Sequence, residues 1–232
     1  MTNRIEEIQE IIGYSFKDVS YLYQAMTHSS YANDKKMDKL MCNERLEFLG
    51  DAVLELISSE YLFDNYPKKA EGELTKMRAS LVSEKPLADV ANKLGLGEYI
   101  QLSRGEANNG GNERPSITSD AVEALLGAIY LDGGMEPARK FVYTYIVNDI
   151  ENKVLFNDSK SVLQEIIQKY KLGALNYELV REDGPDHKKE YEVNCLLDEK
   201  VIGTGIGATK KSAQQAAAFE AIKKLKKKVA SK

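Results

Sequence analysis

Asn43-Glu44-Arg45-Leu46-Glu47-Phe48-Leu49-Gly50-Asp51 is the stretch on which the reading of this chain turns. Its carboxylates recur at spacings of three and four. At about 100° per residue on a helix, Glu44, Glu47, Asp51 and the later Glu55 share one arc of roughly 80°. Leu46, Leu49, Val53, Leu56 and Ile57 occupy the opposite side. Like charges stacked one helical turn apart repel by a few tenths of a kcal/mol per pair. A fold keeps them if the face is open to water, or if a divalent cation sits on it. Phe48 falls beside the carboxylates on the supposed wet side, which suggests a surface that meets a partner.

A second acidic pair lies in a run that is otherwise apolar, Asp120-Ala-Val-Glu-Ala-Leu-Leu-Gly-Ala-Ile-Tyr-Leu131. Asp120 as an N-cap with Glu123 reaching back to it would explain both charges. That arrangement still leaves Glu123 beside apolar neighbours, where an unpaired charge is costly. The two stretches together offer up to four carboxylates and no imidazole. The chain's two histidines, His28 and His187, do not follow the Glu-x-x-His spacing of di-iron bundles. A donor set made only of oxygens points to Mg²⁺, with Mn²⁺ as a substitute. Such ions activate water and stabilise leaving oxygens in phosphodiester hydrolysis.

Working outward, the first 156 residues read as an all-α domain. Ile5, Ile8, Ile11 and Ile12 form a stripe that stops at Gly13. Helices are expected over 17–26, from an N-cap at Asn43, over 72–82, from a cap at Ser83 to about Gly95, over 120–131 and over 137–152. The stretch 104–115 has a loop composition. After a polar linker at 154–160 the pattern changes. A short amphipathic helix over 161–170 precedes strands at 177–180, 191–197 and 201–208, and a long helix begins at Lys210. The order α-β-β-β-α makes a small α+β domain over 161–229, following an all-α domain over 1–153.

The net charge of −4 hides an asymmetry. Residues 157–232 carry 15 Lys and Arg against 11 Asp and Glu, so the second module is basic and the first strongly acidic. A basic module attracts phosphates without regard to sequence. Lys223 to Lys228 fit a solvated helix end, whereas Lys210 and Lys211 at the helix start are placed to meet a phosphate row. Cys42 and Cys195 belong to no Cys-x-x-Cys pair and read as free thiols. The acidic N-terminus is no secretory signal and no apolar run is long enough to span a membrane, so a cytoplasmic location is expected.

The signature at 43–51 resembles that of the ribonuclease III family. Glu71-Gly-Glu-Leu-Thr-Lys-Met-Arg-Ala-Ser-Leu-Val82, the run beginning at Asp120 and Ala25-Met-Thr-His-Ser-Ser-Tyr31 are similar to further blocks of that family. The resemblance implies an endoribonuclease domain whose metal-binding carboxylates are Glu47, Asp51, Asp120 and Glu123, with Asp51 and Glu123 as the catalytic pair. It gives Glu44 and Glu71 auxiliary acidic positions, His28 a structural one, and Phe48 a place in a homodimer interface. Leu163-Gln164-Glu165, Gly184-Pro-Asp-His-Lys-Lys-Glu-Tyr191 and Gly203 to Ala218 are similar to the double-stranded RNA-binding domain, with Thr209 where Ser is frequent. By that resemblance Gln164, Glu165 and His187 approach minor grooves, and Lys210, Lys211 and Gln214 approach phosphates. Such domains read A-form shape rather than sequence. The implied activity is Mg²⁺-dependent cutting of double-stranded RNA, with no DNA as partner. It would leave 5′-phosphates, 3′-hydroxyls and short 3′ overhangs, in the processing of ribosomal, messenger and transfer RNA precursors. The rival expectation is a non-catalytic double-stranded RNA-binding regulator.

Overall fold

The Asn43–Asp51 stretch opens α4, Glu44–Asn65. In this computed structural model, residues 2–148, 150, 156, 159–185 and 189–230 are described. The chain divides into two compact units, Met1–Ile150 and Glu151–Lys232. The first contains α1 (Thr2–Ile12), α2 (Val19–Ala25), α3 (Ser29–Asp34), α4, α5 (Glu71–Val82), α6 (Glu84–Lys93), α7 (Arg104–Asn108), α8 (Pro115–Gly133) and α9 (Met135–Tyr145). Among its described residues there is no strand, only a bridge between Thr27 and Gln101.

α8 is the axis of this unit, and α2, α4, α6 and α9 pack around it. A helix apolar on every side belongs in a core, and Ala121, Val122, Ala124, Leu125, Leu126, Ala128 and Ile129 are completely buried. α8 starts earlier than expected. Pro115 takes its first position, where a missing N–H costs nothing, and Arg114 is the N-cap. Asp120 is therefore in the second turn and caps nothing, which removes the capping explanation of the Asp120–Glu123 pair. The expected loop at 104–115 includes α7 and a 3₁₀ turn at Gly111–Glu113. Side chains build the starts of α2, α3 and α7: Asp18 accepts from the Ser20 N–H, the His28 imidazole from the Ser30 N–H, and the Ser103 hydroxyl from the Glu106 N–H. Asn43 stands at the N-cap position of α4 without bonding through its side chain. Leu56, assigned by periodicity to the core side, is exposed. The expected end of the last helix at Asn152 lies outside the described residues.

The second unit has α10 (Ser159–Tyr170), an antiparallel sheet in the order β1 (Leu175–Asp183), β2 (Glu190–Leu197), β3 (Lys200–Gly207), and α11 (Lys210–Ala230). This is the expected α-β-β-β-α order. Ser159 and Lys160, read as linker, belong to α10. β2 and β3 are joined by Asp198 and Glu199, both at positive φ (45° and 67°). Two such residues make the hairpin turn that matches strand twist. Cys195 pairs with Gly203 and Val193 with Gly205. A Cβ on Gly203 or Gly205 would overlap backbone atoms of Ala217 in α11. With no side chain between them, β3 lies directly on α11, and Leu163, Ile167, Val193, Cys195, Ala213, Ala217 and Ile222 close the core.

Candidate functional site

α4 and α8 cross at two glycines. A Cβ on Gly50 would overlap the Glu123 carbonyl oxygen, and one on Gly127 the Leu46 carbonyl oxygen. Glycine inside a helix costs about 1 kcal/mol relative to alanine. Here it lets two backbones touch, and the contact sets Glu123 of α8 beside Glu47 of α4. Asp120, one turn before Glu123, completes the group. Glu47, Asp120 and Glu123 each offer a carboxylate oxygen, and these lie within 4.8 Å of one another. That span fits oxygens around one six-coordinate divalent cation after small side-chain adjustments.

The electrostatics show how strongly the carboxyls act on one another. Glu123 is pushed up to about 8, first by burial and then by the charges of Asp51, Asp120 and Glu47. Glu47 is raised by burial and by Asp120, Glu44 and Asp51. Burial also raises Asp120, against the Ser119 hydroxyl and the charge of His28. Burial and neighbouring like charges thus favour the neutral acid at all three positions. A divalent cation would oppose these effects by favouring the ionised carboxylates.

Asp51 stands outside the 4.8 Å group, yet its charge is the foremost electrostatic contribution on Glu123. Glu44 is exposed at the start of α4. Glu71 is not with the group. It accepts from the Thr75 hydroxyl and lines a cavity of about 710 Å³ with Leu56, Phe63, Leu74 and Arg78. Phe48 is 80% exposed and Phe63 73%.

Sequence spacing did not bring forward four residues. Gly50 and Gly127 set the helix approach, Glu84 acts on Asp120, and His28 reaches the cluster electrostatically while its Nδ1 caps α3. A glycine inside each of the two helices that carry the carboxylates was the available signal for the first two. Glu84 has no marker, because its proximity arises only on folding.

In the second unit, Gln164 and Glu165 are exposed on α10, and Lys210 and Lys211 on the first turn of α11. Thr209 and Ser212 cap that turn reciprocally: the Ser212 N–H donates to the Thr209 hydroxyl, and the Thr209 N–H to the Ser212 hydroxyl. Threonine in place of serine keeps the cap. Gln214 is half-buried, and its Oε1 accepts the Lys160 ammonium at 2.5 Å. That ammonium lies 4.9 Å from the centre of the Tyr177 ring. His187 lies outside the described residues.

Comparison with known proteins gives concordant matches for both units. Residues 18–150 match the sequence model of the Ribonuclease-III-like family, and residues 159–225 that of the double-stranded RNA binding motif. A protein named Ribonuclease 3 from Nitratiruptor sp. is 47% identical over 226 residues, covering 96% of this chain and 97% of its own length. Another of that name, from Caldanaerobacter subterraneus, is 44% identical over 221 residues, covering 94% and 96%. Among solved structures, a nuclease domain of ribonuclease III from Campylobacter jejuni has a TM-score of 0.57 at 50% identity. It covers 62% of this chain and 96% of its own, and its description places structural flexibility in a region involved in dimer formation.

Proposed function

The chain belongs to the ribonuclease III family, and on that premise we propose that it is a Mg²⁺-dependent endoribonuclease that cuts double-stranded RNA. The observation that carries this reading is the convergence of Glu47, Asp120 and Glu123 at the crossing of α4 and α8. Those three, with Asp51, would hold the cation. The bound ion would supply an activated water and positive charge for the leaving oxygen. Mn²⁺ would serve as a substitute, since its ligand preferences are alike. Glu123 must give up its proton before it can ligate, and Asp51 and Glu123 are assigned the central part in turnover. Glu44 and Glu71 remain auxiliary.

We assign the first unit to hydrolysis and the second, from α10 at Ser159 onward, to duplex binding. Gln164, Glu165 and His187 would meet minor grooves, while Lys210, Lys211 and Gln214 would face phosphates. Exposed Phe48, Leu56 and Phe63, together with the cavity that Leu56 and Phe63 line, fit a homodimer formed through α4. Two sites acting on opposite strands would leave 5′-phosphates, 3′-hydroxyls and short 3′ overhangs. Precursors of ribosomal, messenger and transfer RNA are the proposed substrates, in the cytoplasm. Among the described residues no helix is long and apolar enough to cross a membrane.

The test is cleavage of a long RNA duplex in Mg²⁺, in Ca²⁺ and in EDTA, with a gel shift on the same samples. Cleavage in Mg²⁺ alone, with binding in all three, is the expected result. Binding without cleavage under any metal would move the chain to the regulator reading.

A further inference from the structure

The proposed hold on RNA relies on lysines, and one carboxylate is set among them. Strand alternation puts Arg181 and Asp183 on one side of β1 and Glu182 on the other, level with Tyr191 of β2. On the Arg181 side, Asp183, Glu190 and Glu192 all pair with that arginine. Glu182 pairs with lysines instead. One of its oxygens accepts the Lys189 ammonium at 2.9 Å, and the other stands 3.6 Å from the Lys210 ammonium. Lys210 also lies 5.7 Å from the centre of the Tyr191 ring. Among the described residues, these contacts tie Lys189, Lys210 and Glu182 together at the first turn of α11.

A phosphate approaching Lys210 meets a carboxylate already there. Exposed ion pairs are weak, so Glu182 does not block the phosphate, but it must share the ammonium or be displaced. We propose that Glu182 is a built-in competitor for RNA phosphate, and that by sharing Lys189 and Lys210 it sets how tightly the small unit grips a duplex. The shared carboxylate offsets part of the positive charge that the two ammoniums offer to RNA. The grip is loosened on substrate and cut product alike. This inference rests on the RNA-binding reading of the second unit.

The test uses the full chain in EDTA, with an RNA duplex of about 30 bp, long enough for a domain that spans about 16 bp. Affinity is measured across a range of KCl concentrations. Glu182→Gln should bind about two- to five-fold tighter at moderate salt, the range set by exposed ion pairs. The dependence of log Kd on log salt should steepen, by up to about 0.9 for each further phosphate engaged. A merely structural role would give weaker binding instead. In a Lys189→Gln, Lys210→Gln background the gain should vanish. An unchanged or reduced affinity in Glu182→Gln would overturn the proposal, as would a gain that persists without the two lysines. A wild-type chain that fails to bind duplex RNA would overturn the RNA-binding reading and this inference with it. Wild-type binding with no gain in the variant would overturn this inference alone.

Discussion

Glu123→Gln should make the metal-free protein more stable while abolishing cleavage. Glutamine keeps the shape of the protonated acid, so the substitution fixes the neutral state. The wild-type carboxyl is raised from 4.5 to about 8, which at about 1.4 kcal/mol per unit bounds the effect at about 5 kcal/mol. Part of the side chain remains in water, and screening reduces this to about 1–2 kcal/mol. The sign follows from linkage. Because the folded value is the higher one, the folded state binds the proton more tightly. That stability is complete below pH 4.5 and is lost as pH rises through about 8. Wild type in EDTA should therefore lose stability between about pH 5 and 8.5, and the variant much less. For a unit of this size about 1 kcal/mol moves Tm by roughly 2–4 °C. Calorimetry should show no difference at pH 5 and a variant melting about 3–6 °C higher at pH 8.5. Added Mg²⁺ should raise the wild-type Tm at pH 8.5 by mass action and leave the variant nearly unmoved. Parallel pH profiles, or a variant less stable than wild type at pH 8.5, would refute the account of the cluster.

Two further substitutions examine other parts of the fold. Gly50→Ala adds a methyl where the Glu123 carbonyl stands, and should cost about 2 kcal/mol or more by overpacking, with a matching loss of cleavage. Unchanged melting and activity would show that the α4–α8 approach does not depend on that glycine. Phe48→Ser should shift the protein from dimer toward monomer in sedimentation at micromolar concentration. A dimer of equal strength would place the interface elsewhere.

The order of elements was legible because periodicity is a local property. α4 announced itself by its carboxylate arc, and β2 by alternation. Boundaries were less legible. Asp120 looked like a cap because Glu123 stands three residues on, the spacing of a capping box, whereas the operative signal was Pro115. Leu56 fell on the core side by angle, but the apolar surface of α4 is wider than its buried strip, and Leu56 joins Phe63 outside. Asp198 suits the first position of such a turn, but Glu199 stands at positive φ where glycine is preferred, so composition did not reveal it. The residue types of the candidate site were readable, but their convergence was not. Spacing shows which carboxylates share a helix face. It does not say that two helices touch through Gly50 and Gly127, or that His28 and Glu84 arrive beside Asp120.

The contact of β3 with α11 has its own consequence. Side chains between a strand and a helix act as adjustable spacers, and exchanging one for another resets the gap. Here Gly203 and Gly205 meet the backbone of α11 with nothing between. The gap has no adjustable part. Drift elsewhere in this small core has little means of sliding α11 along the sheet, so the first turn of α11 keeps its distance from the ends of β1 and β2. The module has a rigid frame, and its outer surface could vary widely while the spacing between α11 and the sheet stays the same.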